Sequence, residues 1–339
     1  MGDVTPGMVC GHHHLYSCLA RGMPAPPVQP RTFLQILEQI WWRLDVALDL
    51  EMVRASARLG ALEALECGTT AIVDHHESPS AIEGSLDVIA DACREVGVRV
   101  VCAYGVTDRH GAPGAQRGLD ENERFIRRGG RGMVGVHAAF TCSDATLAAA
   151  AGLAEDLGVG VHIHVAEGTV DKNAGERLSG LANEAWLLAH GVHLDRPLPG
   201  TLAHNPRSNM NNSVGYASPS SWSGRVVLGT DGIGADMLEE FRLAYARSRE
   251  ADVLSDPARA WEWVSAGWEL VPEARNDQVH WSYEWADDPW RLAFTPGVRA
   301  EDVWVEGEHV LAAGAPTRVD PDEVRRHAGE QAARLFARL

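Results

Sequence analysis

The chain has 339 residues, with 47 acidic side chains against 30 lysines and arginines, for a formal net charge of −17. That excess of negative charge argues against nucleic acid or an anionic membrane as partner, because neutralising phosphates takes clustered positive charge. No basic-then-apolar leader and no run of ~18 apolar residues occurs, and the six cysteines show no C-x-x-C spacing, so a reduced, cytoplasmic protein is expected.

The first stretch, Pro6-Gly7-Met8-Val9-Cys10-Gly11-His12-His13-His14, reads as a short strand that ends in histidines. Side chains alternate along a strand, so His12 and His14 share a face and His13 takes the other. A proline-rich loop around Met23 to Pro27 follows. Helical spacing then covers Phe33 to Leu50, with Trp41-Trp42, and Glu51 to Cys67, closed by Gly68. From there the chain alternates. Strand Thr69 to Asp74 runs into His75-His76-Glu77, and helix Ile82 to Val96 precedes strand Val98 to Tyr104. Helix Glu121 to Arg128 precedes strand Met133 to His137, and helix Asp144 to Leu157 precedes strand Gly160 to His164. Helix Glu176 to Glu184 precedes strand Trp186 to His190; then come strands Gly200 to His204 and Arg225 to Leu228, the last leading to Gly229-Thr230-Asp231.

Eight short strands alternating mostly with helices predict a parallel sheet closed as a (β/α)8 TIM-like barrel. The link between the strands ending at His190 and His204 is too short for a full helix, so an irregularity is expected there. Beyond residue 232, Leu238 to Ala251 and Pro257 to Leu270 look helical, while Trp281 to Arg299 resists assignment. Val303 to Val310 reads as a hairpin and Pro321 to Leu339 as a closing amphipathic helix. The division expected is a barrel over residues 1–300 and a hairpin-plus-helix unit over 301–339.

In such a barrel the active site lies at the C-terminal ends of the strands. There the sequence places His12 and His14, then His162 and His164, then Asp231. His164 sits nearer the mouth, and His162 is expected a layer deeper in the wall. Three imidazoles and a carboxylate form an N3O set that suits one divalent ion: zinc first, with iron or manganese as alternatives. Glu167 and His190 stand where they can reach a substrate beside that ion. The second nitrogens of the ligand imidazoles need partners, which His162 and Asp74 are expected to influence only indirectly.

The runs P-G-M-V-C-G-H-H-H, V-H-I-H-V-A-E, L-A-H-G-V-H-L, H-N-P-R-S-N-M-N-N and L-G-T-D-G-I-G-A-D-M occur in the order of the amidohydrolase superfamily. They resemble its aminohydrolase and chlorohydrolase branch. W-W-R-L-D, D-H-H-E-S-P and R-S-N-M-N-N with T-D-G-I-G-A-D-M look most like the SsnA-type aminohydrolases. The resemblance implies that His12, His14, His164 and Asp231 hold the metal, with Asp231 also taking a proton. It makes Glu167 the acid that protonates a ring nitrogen and His190 the residue that holds the nucleophilic water. His137 and Asn209 fall where the family lines its pocket; His75, His76 and His204 are read as structural. Two-metal members use a carboxylated lysine at the end of strand four; here that position is His137, and Lys172, the single lysine, lies after strand five. One metal is therefore expected.

The activity implied is a metal-dependent hydrolytic deaminase: metal-bound hydroxide attacks the amine-bearing carbon of a small N-heterocycle and ammonia leaves. The alternatives are hydrolysis of a carbon–halogen or cyclic amide bond at the same site, or a truncated, inactive homologue. No nucleic-acid or membrane partner is expected; the molecule is a monomer or homo-oligomer. The family usually carries an N-terminal β-sandwich segment before its first motif. With that segment missing, the terminal hairpin is expected to lack partner strands and leave exposed edges.

Overall fold

The strands that carry the histidines also carry apolar residues on both faces, so both faces must be covered. A computed structural model describes residues 3–232 and 234–339. Its strands are β1 (Val4–Thr5), β2 (Met8–His13), β3 (Thr69–His76), β4 (Arg99–Tyr104), β5 (Val134–Ala138), β6 (Val161–Val165), β7 (Leu187–His190), β8 (Thr201–His204), β9 (Val226–Leu228), β10 (Gln278–Trp281), β11 (Ala300–Val305), β12 (Glu308–Ala312) and β13 (Ala315–Pro316). Every residue of β2, β3 and β5 to β9 is buried.

The architecture is α/β with parallel strands. β2-β3-β4 form one parallel sheet and β5-β6-β7-β8-β9 another. Isolated bridges Cys102↔Gly132 and Val106↔Val136 join the β4 edge to β5, and His13↔Asp231 joins β2 to the residues after β9. The eight strands thus follow one another in sequence order and return to the first.

Where the β4–β5 ladder is incomplete, one side chain takes its place. Asn122, fully buried, accepts from the Tyr104 and Gly135 amides through Oδ1 (2.9 and 3.3 Å) and donates through Nδ2 to the Tyr104 and Gly118 carbonyls (2.9 and 3.0 Å). Gly135 belongs to the same seam: a Cβ there would lie 2.3 Å from the Tyr104 carbonyl oxygen, so only glycine admits the approach. This seam also explains a difference from expectation. The helix placed at Glu121 to Arg128 extends over Gly111–Arg127. Its glycines and proline read as loop, yet Gly118 is what lets the helix pack onto the Tyr104 ring, 3.1 Å from a would-be Cβ. Packing overrides weak helix propensity there.

Other helices follow their local signals. Asp144–Leu157 starts on Ser143, whose side chain accepts from Thr146 N, and Ser85–Val96 and Asp144–Leu157 both end on left-handed glycines, Gly97 and Gly158. The helix expected at Glu176 to Glu184 is a short Ala174–Leu178 turn. β7 and β8 pair in parallel although no helix lies between them, which is the expected irregularity.

A five-stranded antiparallel sheet, ordered β1-β10-β11-β12-β13, stands beside the ring. The hairpin expected at Val303 to Val310 is β11–β12, and it does not lack partners. β10 pairs along it, and β1 pairs with β10 through Val4↔His280 and Thr5↔Val279. Strands on both sides of residue 300 therefore share this sheet, and the expected division at 300/301 cuts through it. Trp281, inside the stretch that resisted assignment, ties the sheet to the ring: its Nε1 donates to Thr5 Oγ1 (2.8 Å) and its ring covers Gly68. The helix Pro321–Phe336 closes the chain against Leu50–Glu66, with Arg58 paired to Glu323 at 3.0 Å. Among the described residues no helix is long and apolar enough to cross a membrane.

Asn122→Leu removes four hydrogen bonds to buried backbone while keeping the volume. Each buried polar group left alone costs about 1–3 kcal/mol, so urea unfolding should show a loss of about 4 kcal/mol or more. A surface control at exposed Gln116, whose side chain bonds only to Asp120 (2.8 Å), should leave the midpoint in place.

Candidate active site

The C-terminal ends of the ring strands open into a cavity of about 250 Å³. Its lining includes His14, His137, His164, Glu167 and Asp231 together with Tyr16, Phe33, Trp41, Trp42 and Phe140. Three of the residues that turn side chains at this rim have positive φ: Ala166 (48°) after β6, His190 (74°) at the end of β7 and Asp231 (55°) after β9. Non-glycine residues adopt that conformation at a cost of order 1–3 kcal/mol and only where the surroundings impose it.

At the floor of the cavity four sequence-predicted groups converge. His12 Nε2 lies 3.3 Å and His14 Nε2 3.0 Å from Asp231 Oδ1. His14 Nε2 is 3.1 Å from His164 Nε2. Donor atoms of His12, His164, His190 and Asp231 all lie within 4.8 Å of one another, as do those of His14, His75 and His164.

The opposite ring nitrogens fix the proton positions. His14 Nδ1 faces the His75 carbonyl at 2.6 Å and His164 Nδ1 faces the His137 carbonyl at 2.6 Å. A carbonyl only accepts, so both Nδ1 atoms carry protons and, in neutral rings, both Nε2 atoms are bare. Two bare nitrogens 3.1 Å apart beside a carboxylate repel unless one positive charge sits among them. A proton can supply it: burial lowers the pKa of His14, but the hydrogen bond and charge of Asp231 outweigh this and push it up to about 9. A divalent ion can supply it too, and buried neutral imidazoles with a carboxylate are the donors such ions take. Burial holds His12 and His164 well below the usual imidazole value. Burial also raises Asp231, yet hydrogen bonds from His12 and His14 hold it well below the carboxylate range.

His162 differs from expectation. It lies deeper, as read, but its Nε2 meets His12 Nδ1 directly at 2.8 Å, so it sets the orientation of that imidazole itself. Asp74 does not join in; its Oδ1 accepts from Leu15 N. Asn209 also differs. It is buried behind the site with Oδ1 accepting from His190 Nδ1 (2.8 Å), and it does not line the cavity. A strand-end turn before a short helix, Pro206–Asn211, points Ser208, Asn211 and Asn212 inward and Asn209 back. His190 Nε2, left bare by that bond, has no partner and lies 3.6 Å from Glu167 Oε2. Glu167 lines the cavity, and burial raises its carboxyl to about 7 against the opposing pull of His190. His137 lines the cavity as expected, whereas His75, His76 and His204 do not. His75 donates to Val136 O (3.0 Å), His76 meets Ser78 Oγ (2.8 Å), and His204 packs between Tyr216 and Trp263.

Some cavity residues carried no sequence signal of their own. Ser208 donates to Asp231 Oδ2, and Asn212 Nδ2 reaches Glu167 Oε1 at 3.4 Å. Asp171 accepts from Ala166 N (2.8 Å) and Phe140 N (2.9 Å), bracing the turn that presents Glu167. Asp45 and Glu77, both buried, meet Arg109 at the cavity edge. In the sequence they stand in the runs W-W-R-L-D and D-H-H-E-S-P, which give no cue to their meeting.

The Amidohydrolase family model matches residues 4–267. The chain is 32% identical over 272 residues to the 5'-deoxyadenosine deaminase of Methanopyrus kandleri, covering 71% of this chain and 61% of that one. It is 30% identical over 274 residues to a 5-methylthioadenosine/S-adenosylhomocysteine deaminase of Desulforudis audaxviator, covering 71% of this chain and 60% of that one. The chain thus spans about 60% of the length of these curated relatives. Among solved structures, an adenosine deaminase from Xanthomonas campestris with bound zinc superposes with a TM-score of 0.83 at 20% identity, over 98% of this chain and 86% of that one.

The helix carrying Ser208 and Asn212 is anchored by Arg207, whose Nε donates to buried Glu240 at 2.7 Å. Burial raises Glu240 to about 7 despite that partner. A carboxyl with a folded pKa above its unfolded value of about 4.3 stabilises below the unfolded value and loses that contribution as pH rises through about 7. Glu240→Gln keeps the acceptor and cannot ionise. Its urea midpoint should vary less between pH 5 and pH 8 than that of the wild type.

Proposed function

From the premise that the chain belongs to the amidohydrolase family, we propose that it is a metal-dependent hydrolytic deaminase of small aminated N-heterocycles. The observation that carries this is the pair of bare imidazole nitrogens, 3.1 Å apart beside Asp231, whose mutual repulsion a divalent ion between them would relieve. The ring of parallel strands is read as a (β/α)8 barrel with the small antiparallel sheet appended. His12, His14, His164 and Asp231 would hold one divalent ion, zinc being the best match to three imidazoles and a carboxylate. Bound there, such an ion supplies Lewis acidity that brings the pKa of water to about 7.

The chain's own groups do the rest. Asp231, steadied through Oδ2 by Ser208, takes the proton of the attacking water. His190, its Nδ1 fixed on Asn209, offers a bare Nε2 that accepts from that water and aims it. Glu167, kept protonated by burial near neutral pH, gives its proton to the ring nitrogen as water adds to the amine-bearing carbon. Asp231 then passes its proton to the amine, the carbon–nitrogen bond breaks, and ammonia leaves. Glu167 recovers a proton from the new hydroxyl as the carbonyl forms, so both carboxyls return to their starting states. The aromatic walls of the cavity suit a flat ring, and the names of the curated relatives favour an adenosine-type substrate.

The test is ammonia release from a purine, pyrimidine, pteridine and triazine panel, with metal content measured on the same samples. Purified protein grown with zinc should hold about one equivalent. His164→Ala should lose metal and activity together. Glu167→Gln should keep the metal and fall by about 10²–10⁴ in kcat; a near-wild-type rate would overturn the acid assignment.

A further inference from the structure

The short helix Pro206–Asn211 and the residue after it carry a chain of hydrogen bonds whose direction is set at every link. At one end Asn211 Nδ2 donates to Asn212 Oδ1 (3.4 Å). At the other, Ser208 Oγ donates to Asp231 Oδ2. That commits the Ser208 proton, so its oxygen can only accept from Asn212 Nδ2 (3.3 Å). The Asn212 amide is thereby oriented, with Oδ1 toward Asn211 and Nδ2 toward Ser208. Nδ2 has a second hydrogen, and it goes to Glu167 Oε1 (3.4 Å). Among the described residues this is the one hydrogen bond that the Glu167 carboxyl receives. Asn212 itself is half-buried at the end of a six-residue helix.

A neutral carboxyl has two unlike oxygens, one that carries the proton and one that only accepts. A proton on Oε1 would face the Asn212 hydrogens, donor against donor. It therefore sits on Oε2. Oε2 is also the oxygen that faces the bare, unpartnered Nε2 of His190, at 3.6 Å. That separation is too long for a hydrogen bond between them, so each group stays free for a ligand. In an aminated heterocycle the nitrogen that takes the proton and the carbon that takes the water are bonded neighbours. The proton donor and the group that aims the water must then stand side by side, as Oε2 and Nε2 do.

We propose that Asn212 is a positioning residue for the acid: by occupying Glu167 Oε1 it keeps the transferable proton on Oε2, beside the nitrogen that aims the water. The inference rests on the reading of Glu167 as the proton donor. It adds which of the two oxygens acts and what selects it. The proton passes from Oε2 to the lone pair of the ring nitrogen, and the electron pair of the broken O–H bond stays on the carboxylate. Asn212 holds Oε1 throughout, so the proton recovered from the new hydroxyl returns to Oε2. In this role Asn212 acts only through Glu167.

The experiment compares zinc-loaded wild type, Glu167→Gln, Asn212→Leu and the double variant, each checked for folding by circular dichroism. Slightly below neutral pH, the infrared difference between wild type and Glu167→Gln isolates the carbonyl stretch of the protonated Glu167. The same subtraction in the Asn212→Leu background should give that band at higher frequency, because a carbonyl released from a hydrogen bond stiffens. A band that stays in place overturns the proposal and leaves Glu167 as the acid. No protonated-carboxyl band in the wild type overturns the acid reading and the proposal with it. A second arm follows ammonia release from whichever panel compound turns over. Asn212→Leu should lower kcat about tenfold, the worth of one hydrogen bond, with KM and zinc content within about twofold of wild type. In the Glu167→Gln background the same change should alter kcat by less than about twofold. Equal losses in both backgrounds overturn the proposal, because a residue that served only the fold or the metal would not depend on Glu167. If no panel compound turns over, the infrared comparison decides the matter by itself, and if leucine at 212 prevents folding, Asn212→Ala carries the same test.

Discussion

The rest of the site depends on a charge deficit. His14 and His164 turn bare nitrogens toward each other because backbone carbonyls hold their other nitrogens. Asp231 stands beside them, held ionised against burial by hydrogen bonds from His12 and His14. No arrangement of protons on neutral rings satisfies this geometry, so it is stable only with one unit or more of positive charge inside it. Everything nearby maintains that condition. His162 locks His12, Ser208 locks Asp231, and the strained turns at Ala166, His190 and Asp231 aim the groups that surround the cluster.

The fold serves that cluster through closure. β2 brings two histidines, β6 a third, and the end of β9 the carboxylate, and a ring is what places these distant segments side by side. One join without a continuous ladder, between β4 and β5, is mended by Asn122 on an outer helix.

Much of this was legible beforehand because strand ends announce themselves. A β-branched run that stops at His, Glu or Asp marks both a ring strand and a candidate ligand, and His12, His14, His164, Glu167, His190 and Asp231 were all placed this way. Partners at right angles to the chain were not legible. Whether Asn209 or Asn212 faces the cavity depends on how a six-residue helix leaves its strand, which no spacing reveals. The contact of His162 with His12 spans 150 positions. Asp45 and Glu77 are ordinary carboxylates until Arg109, from a third segment, comes between them. The strand β10 ends on Trp281, whose purpose, covering Gly68 and reaching Thr5, is visible only once the ring is built.

The small sheet carries a consequence for how the molecule assembles. β1 finds its neighbour at His280 and Val279, and β2 is sealed by Asp231, so these two strands depend on partners far along the chain. Pairings of such long sequence separation are slow to form, because the chain loses much freedom before any contact repays it. The histidines of β2 therefore stay apart from their counterparts through most of folding. The cluster of His12, His14, His164 and Asp231 is complete only once the whole ring has closed.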